Sequence, residues 1–557
     1  MSSQVLSDLC KGYSFALFRK DLTAGVTVAI IALPLAMAFA IASGVTPGQG
    51  IFTAIIAGFL ISALGGSRYQ IGGPVGAFIV ILYDIIQRNG YEGLAVSTLI
   101  ASVILVLMGL FRLGSWIKYI PHPLVVGFTT GLAVIIFSSQ IKDFFGLKMG
   151  TPPAPFVEKW AAYIHAFPTL HLPTLFLGLA TLAVILLIRK FIPRLPWGIG
   201  SIAVATLAVY VLDLDVETIQ SRFGQIPNSL PRPAFPSFAI PLERWPEIFT
   251  DAITIAFLAG IESLLSAVIA DGMMGTRHRS NSELVGQGVA NFASVLFGGI
   301  PASGAIARTA ANVKSGAQTP MAGMIHAIVL FLFILCLAPI VSQVPLVALA
   351  AVLIMVAWVM AEVGHFIHLL KAPIGDMAVL ATTFLLTVFV DITVSVLFGT
   401  ILACFLFMKR MSDCSKHTSL TKLFQEKSSE AYDPDALEHK SVPSNVEVYE
   451  FQGPFFFGVA DVLKDVLNNF EKPPKIFILR MRFVPFIDAS GMNALKEFYH
   501  KCQRSGTTLL LSGVKGQTQL DLSSYGLTTL IGPDHIFPHI DEALSRARYL
   551  GEEIEKT

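Results

Sequence analysis

The 557-residue chain predicts a polytopic α-helical membrane domain followed by a small soluble α/β domain, on three observations. Hydrophobic residues make up 54% of the sequence and charged residues only 14%, whereas soluble globular chains carry about 25% charged residues. The long apolar runs are continuous rather than alternating, which suits spanning helices and argues against a membrane barrel. From about residue 413 onward the composition turns polar and charged.

Taken in order, residues 1–22 form a cytoplasmic N-terminal segment. They hold Lys11, Arg19 and Lys20 and lack a cleavable signal pattern, so the first apolar run is a retained span. Apolar spans follow at roughly 23–43, 48–64, 73–88, 93–111, 122–140, 173–190 and 197–212. A second set lies at roughly 248–271, 282–297, 303–315, 320–341, 345–361, 375–390 and 393–408. Fourteen spans place both termini on one side. The loops on that side carry Arg68, Arg112, Lys118, Arg189, Lys190, Arg277, Arg279, Lys314 and Lys371, while the short opposite loops 44–47, 298–302 and 342–344 carry no basic residue. The positive-inside rule then puts both termini in the cytoplasm.

Two spans are unusual in the same way. The third opens with Gly72-Gly73-Pro74-Val75-Gly76, and the tenth follows Gly298-Gly299-Ile300-Pro301-Ala302-Ser303-Gly304. Each is a shortened, Gly/Pro-interrupted segment, third in its set of seven. Matched breaks of this kind point to two inverted repeats, about 23–212 and 248–412, with a site where the broken ends meet. Helix starts there would offer unpaired amides and partial positive charge to an anion.

Two charges stand near these breaks. Glu262 lies alone in an apolar run, 11 residues after Asp251 and 9 before Asp271, at a depth where a carboxylate is seldom kept without a task. Arg308 is the only charge between Glu283 and Lys314, and its planar fork can clamp a carboxylate or sulfate through two hydrogen bonds. Three roles are open for Glu262. It can take up a proton and so cancel the charge that repels an incoming anion. It can hold sodium together with nearby Ser263, Ser266 and Thr309. Or it can brace two helices as a static partner of Arg308. Asp84 and Arg88, four residues apart, read as a local pair. Asn281, Ser282 and Glu283 read as a helix-start cap, and His326 as a packed histidine.

Residues 413–443 read as a linker and 444–557 as the α/β domain. Strands are expected at 446–451, 475–481 and 507–511, with helices at 460–470, 490–502 and 539–550. Cys10, Cys336, Cys404, Cys414 and Cys502 show no metal-ligand spacing. No phosphate loop, nucleophile elbow or metal cluster is legible, so the sequence supports neither an enzyme nor a resident cofactor. A net charge of +1 with no basic stripe gives no reason to expect nucleic acid.

These residues carry a resemblance. The runs Asp21-Leu-Thr-Ala-Gly, Leu33-Pro34-Leu-Ala-Met-Ala-Phe39, the Gly73-Pro74 break, Asn281 to Asn291, and Arg308-Thr-Ala-Ala-Asn312-Val-Lys314 resemble the SulP anion permeases, the sulfate-permease, prestin and pendrin group. Within it, Ile261-Glu262-Ser-Leu-Leu and Asp271-Gly-Met-Met-Gly-Thr are most similar to the C4-dicarboxylate-transporting branch. The soluble part resembles a STAS domain through Val484-Pro-Phe-Ile-Asp488-Ala-Ser490-Gly.

The resemblance implies a seven-plus-seven fold with core and gate domains, the core comprising spans 1–4 and 8–11. It implies secondary active transport of a small oxyanion or carboxylate, either C4-dicarboxylate or sulfate, by proton-coupled symport and an elevator movement. It also implies an inner-membrane homodimer embedded in the lipid bilayer, with a cytoplasmic protein partner for the STAS domain. Substrate contacts would come from Leu35, Phe39, Val75, Ser303, Gly304, Ala305, Ile306, Ala307 and Arg308. Leu35 and Ala307 replace polar residues of related members, which shifts anion binding toward backbone amides. Ser490 matches a position phosphorylated in anti-sigma-factor antagonists. The alternatives are sodium-coupled bicarbonate uptake and an uncoupled channel-like or scaffold protein.

Overall fold

The structure is a computed structural model that describes residues 13–115, 121–192, 196–390, 392–414, 416–419, 437, 440–456 and 473–556. The chain divides into two compact units, residues 1–403 and 404–557.

In the first unit, α1 (Phe15–Ala42) starts at Ser14, whose hydroxyl accepts the Leu17 amide at 3.3 Å. That cap extends the helix eight residues ahead of the apolar run beginning at 23. α2 (Pro47–Leu64) opens with a reciprocal Thr46–Gln49 box and a proline in its first turn. The strand β1 (Gly72–Gly73) and a 3₁₀ turn (Gly76–Phe78) lead into α3 (Ile79–Leu110). Gly90, at φ +66°, breaks α3 between the apolar runs 73–88 and 93–111. Next come α4 (His122–Ser139), α5 (Ile141–Phe145), α6 (Phe156–Ala166), α7 (Leu172–Phe191), α8 (Trp197–Leu212) and α9 (Ile219–Phe223).

The second half runs through α10 (Trp245–Met274), α11 (Ser280–Leu296), β2 (Ser303–Gly304), α12 (Ile306–Lys314) and α13 (Met321–Val341). It finishes with α14 (Leu346–Met360), α15 (Val363–Leu369), α16 (Ile374–Phe389) and α17 (Ile392–Cys414). Among the described residues nine helical segments are long and apolar enough to cross a membrane individually. α12, where a span over 303–315 was expected, has nine residues. At about 1.5 Å per residue it covers only part of a hydrocarbon core of about 30 Å, so it is a half-helix.

The helices pack in two groups. α11 lies against α2 and α3, α10 against α3, and α13 against α1 and α2. In the other group α4 packs on α14 and α16, and α7 on α8 and α14. Large apolar side chains such as Phe176, Leu186, Leu207, Ile340 and Trp358 point outward, as a lipid-facing surface requires.

The second unit holds the sheet order β3–β4–β5–β6–β7. β3 (Lys416–Ser419) is antiparallel to β4 (Val446–Gln452), whereas β5 (Ile476–Phe483), β6 (Thr508–Ser512) and β7 (Ile536–Phe537) continue in parallel. Alternating residues fill two cores. Phe477, Leu479 and Met481 pack with Met492, Leu495 and Phe498 of α18 (Ala489–Arg504). Ile476 and Ile478 pack with Ala543, Leu544 and Ala547 of α21 (Ile540–Lys556). Between them lie α19 (Gln517–Ser524) and α20 (Leu527–Ile531).

Two expectations change here. The stretch read as a linker contributes the polar edge strand β3, which has no hydrophobic signature because only β4 supports it. The short β7, α19 and α20 were not anticipated. The helix expected at 460–470 lies outside the described residues.

Candidate functional site

The two helix breaks meet. Gly72 and Gly73 of β1 pair antiparallel with Gly304 and Ser303 of β2, and each strand leads directly into a helix start. Glycine fits both sides, and a Cβ on either would displace a neighbouring polar side chain. Gly73 has φ +146°, and a Cβ there would sit 2.7 Å from Arg308 Nη1. A Cβ on Gly304 would sit 1.6 Å from Gln70 Nε2.

Arg308, on the first turn of α12, is 1% exposed. Its Nη2 donates to the carbonyl oxygen of Pro74 on the opposite break, while its Nη1 has no partner among the described residues. Glu262, on α10, is 7% exposed. Among the described residues its carboxyl group makes no hydrogen bond and no ion pair, to Arg308 or to any other group. The static Glu262–Arg308 brace is therefore not what the structure holds; the arginine is anchored by backbone instead. Below Glu262, Ser266 Oγ donates to Thr309 Oγ1 at 3.0 Å, and Thr309 Oγ1 accepts the Ile71 amide at 3.1 Å. These bonds tie α10 and α12 to the approach to β1.

The other expected substrate residues separate. Phe39 meets the first break: a Cβ on Gly76 would lie 3.5 Å from its ring, with Ile136 at 3.4 Å and Met360 Sδ at 3.3 Å. Leu35 packs in the same apolar cluster as Phe39, and Val75 packs with Ala305 in another. Ser303 is fully buried and its hydroxyl donates to the Ala259 carbonyl at 2.9 Å. It fixes β2 on α10 rather than offering a free donor. The Ala305 amide is engaged by Ile71 O at 2.8 Å. Ile306 is half-buried and Ala307 is exposed.

What the sequence reading missed is the polar scaffold behind the breaks. Glu283 is fully buried. Its Oε2 accepts the amides of Gly66 (2.8 Å) and Ser67 (3.2 Å), and its Oε1 accepts Ser263 Oγ (2.9 Å) and Gln287 Nε2 (3.0 Å). Gln70 donates to Ser263 Oγ at 2.7 Å. Asn291 bonds both the amide and the carbonyl of Ala302, at 2.7 and 2.9 Å. Asn312 donates to the Tyr69 carbonyl at 2.9 Å.

The cap reading of Asn281–Glu283 fails, because α11 starts at Ser280 and Asn281 Oδ1 accepts the Gly114 amide at 3.0 Å. The available signal was the spacing Glu283, Gln287, Asn291, one polar stripe along a helix. His326 is fully buried, as a packed histidine, with neither ring nitrogen bonded.

The Asp84–Arg88 pair forms at 2.8 Å and extends to Asp251 at 3.1 Å, linking α3 to α10. It lines a cavity of about 910 Å³ that also reaches Ile79 and Val80, just past the first break. None of the expected substrate residues lines that cavity. In the second unit Ser490 is exposed in the first turn of α18, and the helix cap is Asp488, whose Oδ1 accepts the Gly491 amide at 2.7 Å. Among the described residues no group of three His, Cys, Asp or Glu side chains could hold a metal ion.

Broken helices joined by a glycine pair around a buried arginine, in a bundle with an appended α/β unit, define a multi-pass membrane transporter of anions. The chain belongs to the sulfate permease family, whose profile matches residues 18–383, and a STAS domain profile matches 437–543. It is 41% identical over 535 residues to "Putative sulfate transporter YvdB" of Bacillus subtilis (strain 168), covering 96% of this chain and 98% of that one. The transmembrane domain of a cyanobacterium bicarbonate transporter, BicA, is 30% identical with a TM-score of 0.62, covering 70% of this chain and 98% of that one. The murine Slc26a9 anion transporter in the inward-facing state matches at a TM-score of 0.85 and 18% identity, over 98% of this chain and 94% of that one, a likeness of fold alone.

Proposed function

We propose that this protein is a secondary active symporter of the plasma membrane that brings a small oxyanion or carboxylate into the cell together with a proton. The observation that carries the reading is Arg308. A buried guanidinium with one nitrogen bonded to the facing break and the other without a partner among the described residues is a cation still lacking an anion. The substrate binds against Arg308 and the two helix starts, with Phe39 and Leu35 as the apolar wall. Sulfate comes first, in view of the relative named a sulfate transporter. C4-dicarboxylates share the chemistry, a planar carboxylate suited to the arginine fork.

Glu262 is the coupling group. An isolated carboxylate in the membrane interior is expensive, and protonation removes its repulsion of the arriving anion. The group containing α1–α3 and α10–α13 is the moving core, and the α4, α7, α8, α14 and α16 group is the gate, so transport proceeds as an elevator. Both termini are cytoplasmic, the protein works as a homodimer, and the STAS domain, with Ser490 exposed, receives a cytoplasmic partner. A second reading, sodium-coupled bicarbonate uptake, draws support from the likeness to BicA.

The deciding experiment is uptake of labelled sulfate, succinate and bicarbonate into proteoliposomes, with an imposed inward proton gradient and then with sodium. Proton-stimulated sulfate or succinate entry supports the proposal. Sodium-dependent bicarbonate entry moves the protein to the second reading, and flux indifferent to both gradients sinks coupling altogether.

A further inference from the structure

The 910 Å³ cavity is walled by α1, α3 and α10 on one side and by α4, α6 and α16 on the other. Most of the cations around it are satisfied. Arg88 is held by Asp84 and Asp251. Arg222 pairs with Asp143 at 2.7 Å and with Glu217, and Lys142 Nζ donates to the Gly150 carbonyl at 3.0 Å.

Lys159 is different. It lines the cavity, is 5% exposed, and makes no hydrogen bond and no ion pair among the described residues. Its ammonium lies 5.5 Å from the centroid of the Tyr83 ring. One helical turn along α6, Tyr163 is 2% exposed, lines the same cavity, and has a hydroxyl without a partner among the described residues. Tyr83, by contrast, donates its own hydroxyl to the Pro152 carbonyl at 2.6 Å. Residues four apart on a helix share a face, so Lys159 and Tyr163 stand on one side of α6, each with a donor that has no hydrogen-bond acceptor among the described residues.

α6 is a connection between α5 and α7, outside the spanning helices. Burial holds the Lys159 ammonium below the ordinary lysine range and pushes the Tyr163 hydroxyl up. A cation at the end of a largely buried side chain without a counter-charge is unfavourable, and an anion reaching it from the cavity supplies what is missing.

We propose that Lys159 and Tyr163 form a second anion site, a capture site that holds the oxyanion or carboxylate before it reaches the paired breaks. Lys159 supplies the charge, Tyr163 a directed hydroxyl donor, and the Tyr83 ring keeps the ammonium in place. The ligand therefore has at least two oxygens, one for each donor. The cavity reaches Ile79 and Val80 in the first turn after the Gly76 break, so it ends beside the paired breaks without including the residues that line them. The identity of the anion rests on the transport reading above; the site itself does not.

The test uses the full-length protein with sulfate as the probe. An amine-acylating reagent, followed by mass spectrometry, should modify Lys159 in the wild type, and sulfate should protect it. In proteoliposomes K159Q and Y163F should each raise KM for sulfate on the cavity side about tenfold, the effect of one lost charge-assisted bond. Maximum rate should stay unchanged, and K159R should restore KM. Unchanged KM in both variants, or labelling indifferent to sulfate, overturns the capture site. So does a K159Q protein that loses rate and melting temperature together and is not rescued by K159R, which would mark a structural ammonium. Protection of Lys159 in a protein that moves no anion would keep the site and overturn the transport reading instead.

Discussion

At Arg308 one guanidinium nitrogen is held by a backbone oxygen from the other half of the chain, and another has no partner among the described residues. Lysine at this position keeps the charge and loses the second, directed donor. R308K should raise KM for sulfate about 10- to 100-fold, corresponding to about 1.5–3 kcal/mol for a charged hydrogen bond, as read from initial uptake rates. Glu262 should behave differently. E262Q should abolish gradient-driven uptake while leaving anion exchange across the membrane in place; equal loss of uptake, exchange and binding would make Glu262 structural. Glu283 is a third case, since its four accepted hydrogen bonds hold backbone and side chains behind the site. E283Q replaces a charged acceptor with a group carrying two donors of its own. It should cost about 1–3 kcal/mol and lower the melting temperature of the purified protein, an outcome absent if Glu283 were only a helix cap.

Among the elements, the β1–β2 pair matters most for its size. It has two residues per strand, yet it sets the separation of two helix starts from opposite halves of the chain. Gln70, Ser263 and Thr309 fasten it to α10 and α12. Alanine at Gly304 collides with Gln70 and must drive it off Ser263. Overpacking of this kind costs about 1–3 kcal/mol, so G304A should lower both thermal stability and uptake. A variant that transports normally would mean the strand pair can move without consequence.

For the whole molecule, the division into two compact units predicts partly independent failure. In the second unit Arg480 and Glu450, 3% and 4% exposed, pair at 3.0 Å between adjacent strands. Removing one partner of a buried pair costs about 3–5 kcal/mol. E450A should therefore unfold the STAS unit at lower temperature, seen as an early separate calorimetric transition, while sulfate binding by the membrane unit persists. Deleting 441–557 should lower dimer stability and the amount at the membrane more than intrinsic anion binding. A truncated protein unable to bind anion would show that the units are not separable in this way.

Much of this was legible in the sequence because hydropathy and punctuation act locally. Continuous apolar runs became helices at nearly the expected places, since a segment in lipid has to satisfy its backbone internally. The matched Gly/Pro interruptions marked the two breaks that meet, and Ile476 to Met481 read as a strand because both of its faces are covered. Tertiary structure alone decided what each polar side chain touches. Arg308 found the Pro74 carbonyl, 234 residues away in sequence, instead of Glu262. Ser303 turned its hydroxyl to Ala259, and Glu283 collected amides from Gly66 and Ser67. Lys159, in a helix of a connecting loop, came to line a cavity with no hydrogen bond or ion pair among the described residues. A hydrogen bond depends on a few ångströms and on direction, and nothing in the order of residues carries that information until helices from both halves of the chain have packed.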